Sequence, residues 1–417
     1  MKNVTKLAGR SARFLTEIKG SGGSALPGLV IEKFEPDFLG DTLKNLPHGV
    51  VIISGTNGKT TTTKIVVDLL TASGLKVFTN PTGSNFTRGV ASAVFTEIEK
   101  TGKFAFDIAV LELDEAHAVN FVNKITPTYC LLLNVLRDQL DRFGEIDATA
   151  RYLKTVAEKT TDGIVLNAND PLLNKICFGE KTVHFFGFNA KLARLFPSDD
   201  ELYGTQTKFT QKKFLTPDVV LKKIEGDKVE FNLGQTTLKL RGAHNALNSA
   251  GALALVKVIL GRKFNTKKML AALSGVEPAF GRGEVVEIED KRIELILVKN
   301  PAGFRVALTS QHDCESEIMI AINDKFADGR DVSWLWDVDF TTLKNVAVVS
   351  GIRAYDMALR LEYDGVTVGL VDTNLRRSLS GFISDNTSTN LQIYCTYTAM
   401  LKLRKYLSLI TKIERIL

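Results

Sequence analysis

The sequence predicts an α/β protein: a central domain with a parallel sheet around a phosphate-binding loop, followed by a Rossmann-like α/β domain. Three observations predict it. Short apolar runs at residues 49–54, 104–113 and 129–134 read as buried strands, and helical patterns separate them. A glycine-rich turn at residues 55–60 joins the first run to Ile65, Val66, Leu69 and Leu70, which recur at helical spacing. The same alternation resumes after residues 278–283, with apolar runs at 293–298, 317–322, 345–350 and 366–371.

Residues 1–19 are basic and amphipathic (Lys2, Lys6, Arg10, Arg13 and Lys19) and predict a surface helix packed on the body, with an interfacial membrane contact as the alternative. The flexible run of Gly20, Ser21, Gly22, Gly23 and Ser24 ends it. Pro27 and Gly28 then start a connector to the first strand. Residues 146–159 predict a helix and 163–167 a strand. Residues 180–240 are polar, with alternating segments at 229–233 and 237–240, and predict a small antiparallel β insertion. Residues 245–260 and 267–273 predict two helices. The expected division is 1–40 (helix and connector), 41–278 (central domain with the 180–240 insertion) and 279–417 (last domain), a size suited to two or three domains.

Composition excludes several classes. Charged and apolar fractions are those of a globular chain, which argues against disorder and fibrous folds. A net charge of +6 is mild over this length; it suits anionic substrates or a membrane surface and does not call for nucleic acid. Cys130, Cys177, Cys314 and Cys395 form no CxxC pair, so neither a zinc finger nor a disulfide framework is expected. No apolar run approaches the roughly 20 residues that cross a bilayer.

The sharpest feature is Gly55, Thr56, Asn57, Gly58, Lys59 and Thr60, with Thr61 after it, set between a strand and a helix. Glycines let the backbone approach phosphate oxygens, and the following helix N-terminus adds positive potential. Lys59 can reach the β- and γ-phosphates, and Thr60 offers a hydroxyl to Mg²⁺. The strict GxxxxGK[ST] pattern is not met, but its GK[ST] end is intact. Glu112, Asp114 and Glu115 follow the strand at 108–111, where a parallel sheet presents ligand-binding ends, and are candidates to complete the metal site.

The loop at 55–61 resembles the form used by Mur ligases and their folylpolyglutamate synthetase relatives. Further matches lie in order at residues 134–144, 166–171, 242–248 and 281–284. Residues 299–303 (KNPAG), 322–337 (INDKFADGRDVSWLWD) and 397–400 resemble the MurT subunit family of lipid II isoglutaminyl synthase, as do residues 22–28. The resemblance implies a Mur ligase-like fold. It also implies ATP-dependent amidation of the D-glutamate α-carboxylate in the peptidoglycan stem peptide of lipid II, giving D-isoglutamine through an acyl phosphate. The ammonia would come from a GatD-type glutaminase subunit, and the enzyme would be cytoplasmic, meeting its substrate at the inner membrane face.

Carried over by position, the resemblance assigns Gly55, Thr56, Asn57, Gly58, Lys59, Thr60, Thr61, Asn85, Asn245, Arg282 and Asp324 to ATP. It assigns Thr60, Glu112 and Glu115 to Mg²⁺, and Lys154 to the place where many Mur ligases carry a carbamylated, metal-binding lysine. Lys59 and Arg282 would act on the transferring phosphate. Asp337 would complete the Cys-His-Asp triad of the glutaminase, with Asp331 and Asp339 as rivals. Gln139 stands where amino-acid-adding Mur ligases commonly have a metal-binding histidine. Residues 180–240 hold no cysteine, so no structural zinc ribbon of the kind many MurT proteins insert is expected. Competing readings are a Mur-type ligase that adds an amino acid, and a non-catalytic nucleotide-binding scaffold.

Overall fold

A computed structural model describes residues 26–80, 85–136, 146–176, 181–196, 217–278, 282–309 and 316–411. Helices α1 (Leu26–Phe34) and α2 (Phe38–Leu43) precede β1 (Val50–Ser54), the glycine loop and α3 (Lys59–Ala72). Then come β2 (Val77–Thr79), α4 (Thr87–Thr101), β3 (Ile108–Glu112), α5 (Glu115–Val122), β4 (Tyr129–Leu132), α6 (Ile146–Lys159), β5 (Gly163–Asn167) and β6 (Val183–Phe188). Strands β7 (Val219–Glu225), β8 (Lys228–Phe231) and β9 (Gly234–Thr237) lead to α7 (Ala243–Leu260) and α8 (Thr266–Ser274). These strands form one nine-stranded sheet in the order β2-β3-β1-β4-β5-β6-β7-β8-β9.

Strand β1 lies inside that sheet, parallel to β3 on one side and β4 on the other, and all five of its residues are buried. Burial on both faces is why its sequence is apolar without alternation. Ile53 is in register with Glu112 and with Leu131, so the loop leaving β1 emerges beside the carboxylate that ends β3. Helices α3 and α7 cover one face, where Ile65, Leu69, Leu253 and Val256 enter the core. Helices α4, α5 and α6 cover the other through Val94, Phe121 and Leu153.

The second sheet has six strands in the order β10-β11-β15-β12-β13-β14. Its strands are β10 (Arg282–Ile288), β11 (Lys291–Leu297), β12 (Glu317–Ala321), β13 (Asn345–Ser350), β14 (Thr367–Asp372) and β15 (Asn390–Cys395). Only the β10–β11 hairpin is antiparallel; the other pairs are parallel. Helices α9 (Pro301–Thr309), α10 (Ala354–Tyr363), α11 (Leu375–Ser384) and α12 (Tyr397–Leu407) complete this α/β unit.

Three expectations are corrected. The described part of residues 180–240 is not a separate antiparallel insertion: β6 runs parallel to β5, and β7 parallel to β6, so these strands extend the main sheet. Only β7, β8 and β9 pair antiparallel, and Val219, Leu221, Val229 and Phe231 join the main core. Polar residues on the open face of these edge strands hid that continuity.

The stretch after Pro27 is not a plain connector. Pro27 opens the first turn of α1, where its missing N–H costs nothing. Gly28 packs against α4 so closely that a Cβ would fall 1.9 Å from the Arg88 carbonyl oxygen, while its N–H donates to Ser92 Oγ at 2.8 Å.

An apolar stretch long enough for a bilayer does exist. Ala243–Lys263 meets that test by length and composition, but 67% of its apolar window is buried inside the fold, where α7 is the core helix. The proposed helix at 1–19 lies outside the described residues.

Candidate active site

The loop between β1 and α3 is shaped by its glycines. Gly58 takes a left-handed φ of 88°, the conformation that turns the chain into α3. A Cβ there would lie 2.6 Å from Asn248 Oδ1 on α7, so the position has neither the dihedral nor the space for a side chain. The loop is then pinned to the end of β4. Thr56 N–H donates to the Asn134 carbonyl at 3.0 Å, Asn57 N–H to Asn134 Oδ1 at 2.9 Å, and Asn134 Nδ2 to the Asn57 carbonyl at 3.0 Å. The Thr56 hydroxyl donates to the Leu136 carbonyl at 3.2 Å and accepts from the Leu136 N–H at 3.0 Å. A backbone cradle fixed this way needs little reordering when an anion binds.

Lys59 begins α3 and is only 5% exposed. Its Nζ donates to the Gly55 carbonyl at 2.7 Å and lies 3.3 Å from Asp114 Oδ1 and 3.4 Å from Glu115 Oε2. Thr60 Oγ1 donates to Glu112 Oε1 at 2.9 Å. Glu112 is itself held through its backbone: Asn80 Nδ2 donates to its carbonyl and its N–H donates to Asn80 Oδ1, each at 2.9 Å. Asn85 borders the group, its carbonyl accepting the Asp114 N–H at 3.2 Å. The structure thus gathers Lys59, Thr60, Glu112, Asp114 and Glu115 into one buried cluster.

Thr61 is buried in the first turn of α3. Asn245 is buried in the first turn of α7, donating to the Arg241 carbonyl at 2.7 Å and accepting from Asn248 Nδ2 at 3.4 Å. Lys154 is not part of the cluster: it sits on the exposed face of α6, 3.7 Å from Glu158. Arg282 opens β10, where its backbone pairs with Ile296; its side chain lies outside the described residues, as does Gln139.

From the second sheet, Lys299 and Asn300 reach the loop, and Asp324 does not. Lys299 Nζ donates to the Thr56 carbonyl at 3.2 Å. Asn300 Nδ2 donates to Asn57 Oδ1 at 3.0 Å. Asp324 instead lies 3.7 Å from Arg353. Residues 299–303 are legible as a motif, but no local pattern in the sequence says which distant loop a strand end will meet.

Asp337 ends a 3₁₀ turn, Ser333–Asp337, and is exposed. Its backbone carbonyl accepts a hydrogen bond from the Arg305 guanidinium, and its carboxylate has no hydrogen bond or ion pair among the described residues. Its rivals are occupied. Asp331 accepts the Ser333 N–H at 2.8 Å, and Asp339 accepts both the Thr341 N–H and hydroxyl, which hold its carboxyl below the usual range. Trp334 is buried in the core, and Trp336 is half exposed against Tyr363.

The donor set of Thr60 hydroxyl and Glu112 carboxylate fits Mg²⁺, which takes one or two protein oxygens and completes its shell with phosphate and water. Among the described residues, no group of three or more His, Cys, Asp or Glu is arranged to hold a metal by itself.

Residues 53–256 match the Mur ligase middle domain, and residues 297–400 match the MurT ligase C-terminal family. The chain is 30% identical to the MurT subunit of lipid II isoglutaminyl synthase (glutamine-hydrolyzing) from Streptococcus pneumoniae, over 96% of each chain. It is 28% identical to the same subunit of Staphylococcus aureus, over 88% of each. Among solved structures, a pseudomurein peptide ligase type C from Methanothermus fervidus superposes with a TM-score of 0.68 at 19% identity, covering 89% of this chain and 81% of that one. That likeness establishes the fold, and the sequence matches establish the lineage: the chain belongs to the MurT family, within the ATP-dependent Mur ligases.

Proposed function

We propose that the chain is the synthetase subunit of a lipid II isoglutaminyl synthase, using Mg²⁺ and ATP to amidate the α-carboxylate of D-glutamate in the stem peptide. The observation that carries the reading is the buried Lys59, held at the mouth of a glycine cradle, with Thr60 beside it in α3 hydrogen-bonded to Glu112 at the end of β3. A carboxylate is a poor electrophile. Transfer of the γ-phosphoryl to one of its oxygens releases ADP and creates a leaving group. Ammonia then attacks the acyl carbon, phosphate departs with the C–O electrons, and the nitrogen loses a proton.

In this reading the loop amides of residues 55–61 and Lys59 hold the β- and γ-phosphates. Thr60 and Glu112 hold Mg²⁺, which neutralises phosphate charge when bound, while Asp114 and Glu115 keep Lys59 oriented. Asn85 and Asn245 border the nucleotide. Arg282, after the junction at 278–279 that we take as the domain boundary, acts on the γ-phosphate. Asp324, which lies 3.7 Å from Arg353, contacts the nucleotide when the domains close. The ammonia comes from a GatD-type glutaminase whose catalytic histidine is oriented by Asp337. The carboxylate of Asp337 is exposed and uncommitted, as a residue offered to another chain must be. The enzyme works in the cytoplasm, at the inner face of the membrane that carries lipid II.

The test is mass spectrometry of the stem peptide after incubation of lipid II with the chain, Mg²⁺-ATP and ammonium. The expected product carries NH₂ in place of OH on the D-glutamate α-carboxyl. Incorporation of a whole amino acid instead would make the chain an amino-acid-adding ligase.

A further inference from the structure

We propose that the side-chain amides of Asn57 and Asn300 form a clasp that holds the second α/β unit shut on the phosphate loop before nucleotide arrives. The two amides pair reciprocally across the joint: Asn300 Nδ2 donates to Asn57 Oδ1 at 3.0 Å, and Asn57 Nδ2 donates to Asn300 Oδ1 at 3.4 Å. Asn300 is 0% exposed although it lies at a junction between two separately folded sheets. Beside it, Lys299 Nζ and Lys59 Nζ lie 3.2 and 3.3 Å from the same Thr56 carbonyl oxygen. Both contacts belong to the loop that the proposed function gives to ATP, and the functional consequence rests on that reading. Parting of the clasp takes Lys299 away from the loop, and its re-formation returns Lys299 to the Thr56 carbonyl.

Asn300 does two jobs that chemistry can separate. Its Oδ1 accepts the Gly303 N–H at 2.8 Å, capping the first turn of α9. Its Nδ2 reaches across to Asn57. In Asn300→Asp the cap acceptor survives, and a carboxylate is favoured at a helix N-terminus. The shorter bond, from Asn300 Nδ2 to Asn57 Oδ1, is lost, and only the longer one from Asn57 Nδ2 is left. Asn300→Ala loses both functions.

The experiment is amide hydrogen exchange on the full-length chain without nucleotide, following peptides that cover residues 55–59 and 298–304. Asn300→Asp should raise exchange about tenfold in both segments, since losing a buried hydrogen bond costs about 1–2 kcal/mol. Core peptides of both sheets should stay protected. Asn300→Ala should add further exchange at the start of α9. Wild-type protection of the loop in Asn300→Asp would overturn the clasp. So would loss of protection throughout the six-stranded sheet, because Asn300 would then serve only its own fold. The readout needs no ATP, so a clasp that holds while ATP fails to bind would count against the functional reading alone.

Discussion

The hydroxyl of Thr60 donates to Glu112 Oε1 at 2.9 Å, joining the first turn of α3 to the end of β3. Both residues are buried, and both are hard oxygen donors on the loop side of the sheet. Glu112→Gln keeps the size and can still accept from Thr60 but removes the charge a cation needs. The apparent Mg²⁺ affinity in ATP turnover should fall about 10–100-fold, with little change in melting temperature. A Mg²⁺ titration of both proteins checks this; superimposable curves would remove Glu112 from the metal site.

Lys59→Ala should abolish ATP turnover and also destabilise the fold. Asp114 and Glu115 are buried against Lys59 at 3.3 and 3.4 Å, and removing the cation leaves two carboxylates without it. Breaking such a buried pair costs about 3–5 kcal/mol. Denaturant melts alongside turnover assays separate the effects, and turnover at the wild-type rate would contradict the assignment.

Gly58→Ala should cost about 1–2 kcal/mol from its left-handed φ alone. The collision with Asn248 Oδ1 adds to that. Shortening Asn248 to Ser in the same chain should restore only the part due to collision. A double-mutant cycle in urea measures both parts; full restoration would mean that the dihedral is unstrained.

Asp337→Asn should depress glutamine-dependent amidation by up to about 10⁴-fold in complex with the glutaminase, as loss of a triad carboxylate does. Amidation driven by free ammonium should be nearly unchanged, because Asp337 lies in a surface turn of the second α/β unit and not in the Lys59 cluster. Equal loss of both activities would assign Asp337 to folding or to the ATP site.

Asp328 supplies a pH signature. It is buried and accepts hydrogen bonds from Thr398 and from the Lys325 N–H, yet desolvation raises its carboxyl above the ordinary 3.8, with those bonds opposing. A carboxyl raised on folding stabilises most when protonated. Its contribution is present below the unfolded value and is lost as pH rises through the raised one. The stability of wild type relative to Asp328→Asn should therefore be greatest at the acid end and shrink on raising pH. Denaturation curves across the acid range check the slope; a constant difference would contradict it.

Much of the architecture was readable because buried parallel strands are written as uninterrupted apolar runs. Residues 163–167 and 345–350 coincide with β5 and β13 as expected, as does α6 with residues 146–159. Reading failed where strands are edge strands or short. β7, with Lys222, Lys223 and Glu225 exposed, looks like surface loop, and β2 is only three residues long. In the site, Lys59, Thr60 and Glu112 were legible because strand, loop and helix are contiguous and the strand end follows from parallel topology. Asn134, Asn248, Lys299 and Asn300 were not given roles. Each acts through a contact set by packing of elements far apart in sequence, and Lys154 shows the converse, a plausible spacing that packing leaves facing solvent.

The most direct test of the central claim is to follow oxygen from the carboxyl group. Stem-peptide substrate labelled with heavy oxygen in the D-glutamate α-carboxylate is incubated with the chain, Mg²⁺-ATP and ammonium, and the inorganic phosphate is analysed by mass spectrometry. One labelled oxygen should appear in phosphate for each amide formed, and none with Lys59→Ala. Amide formation with unlabelled phosphate would contradict phosphoryl transfer from the loop at Lys59 to the carboxylate.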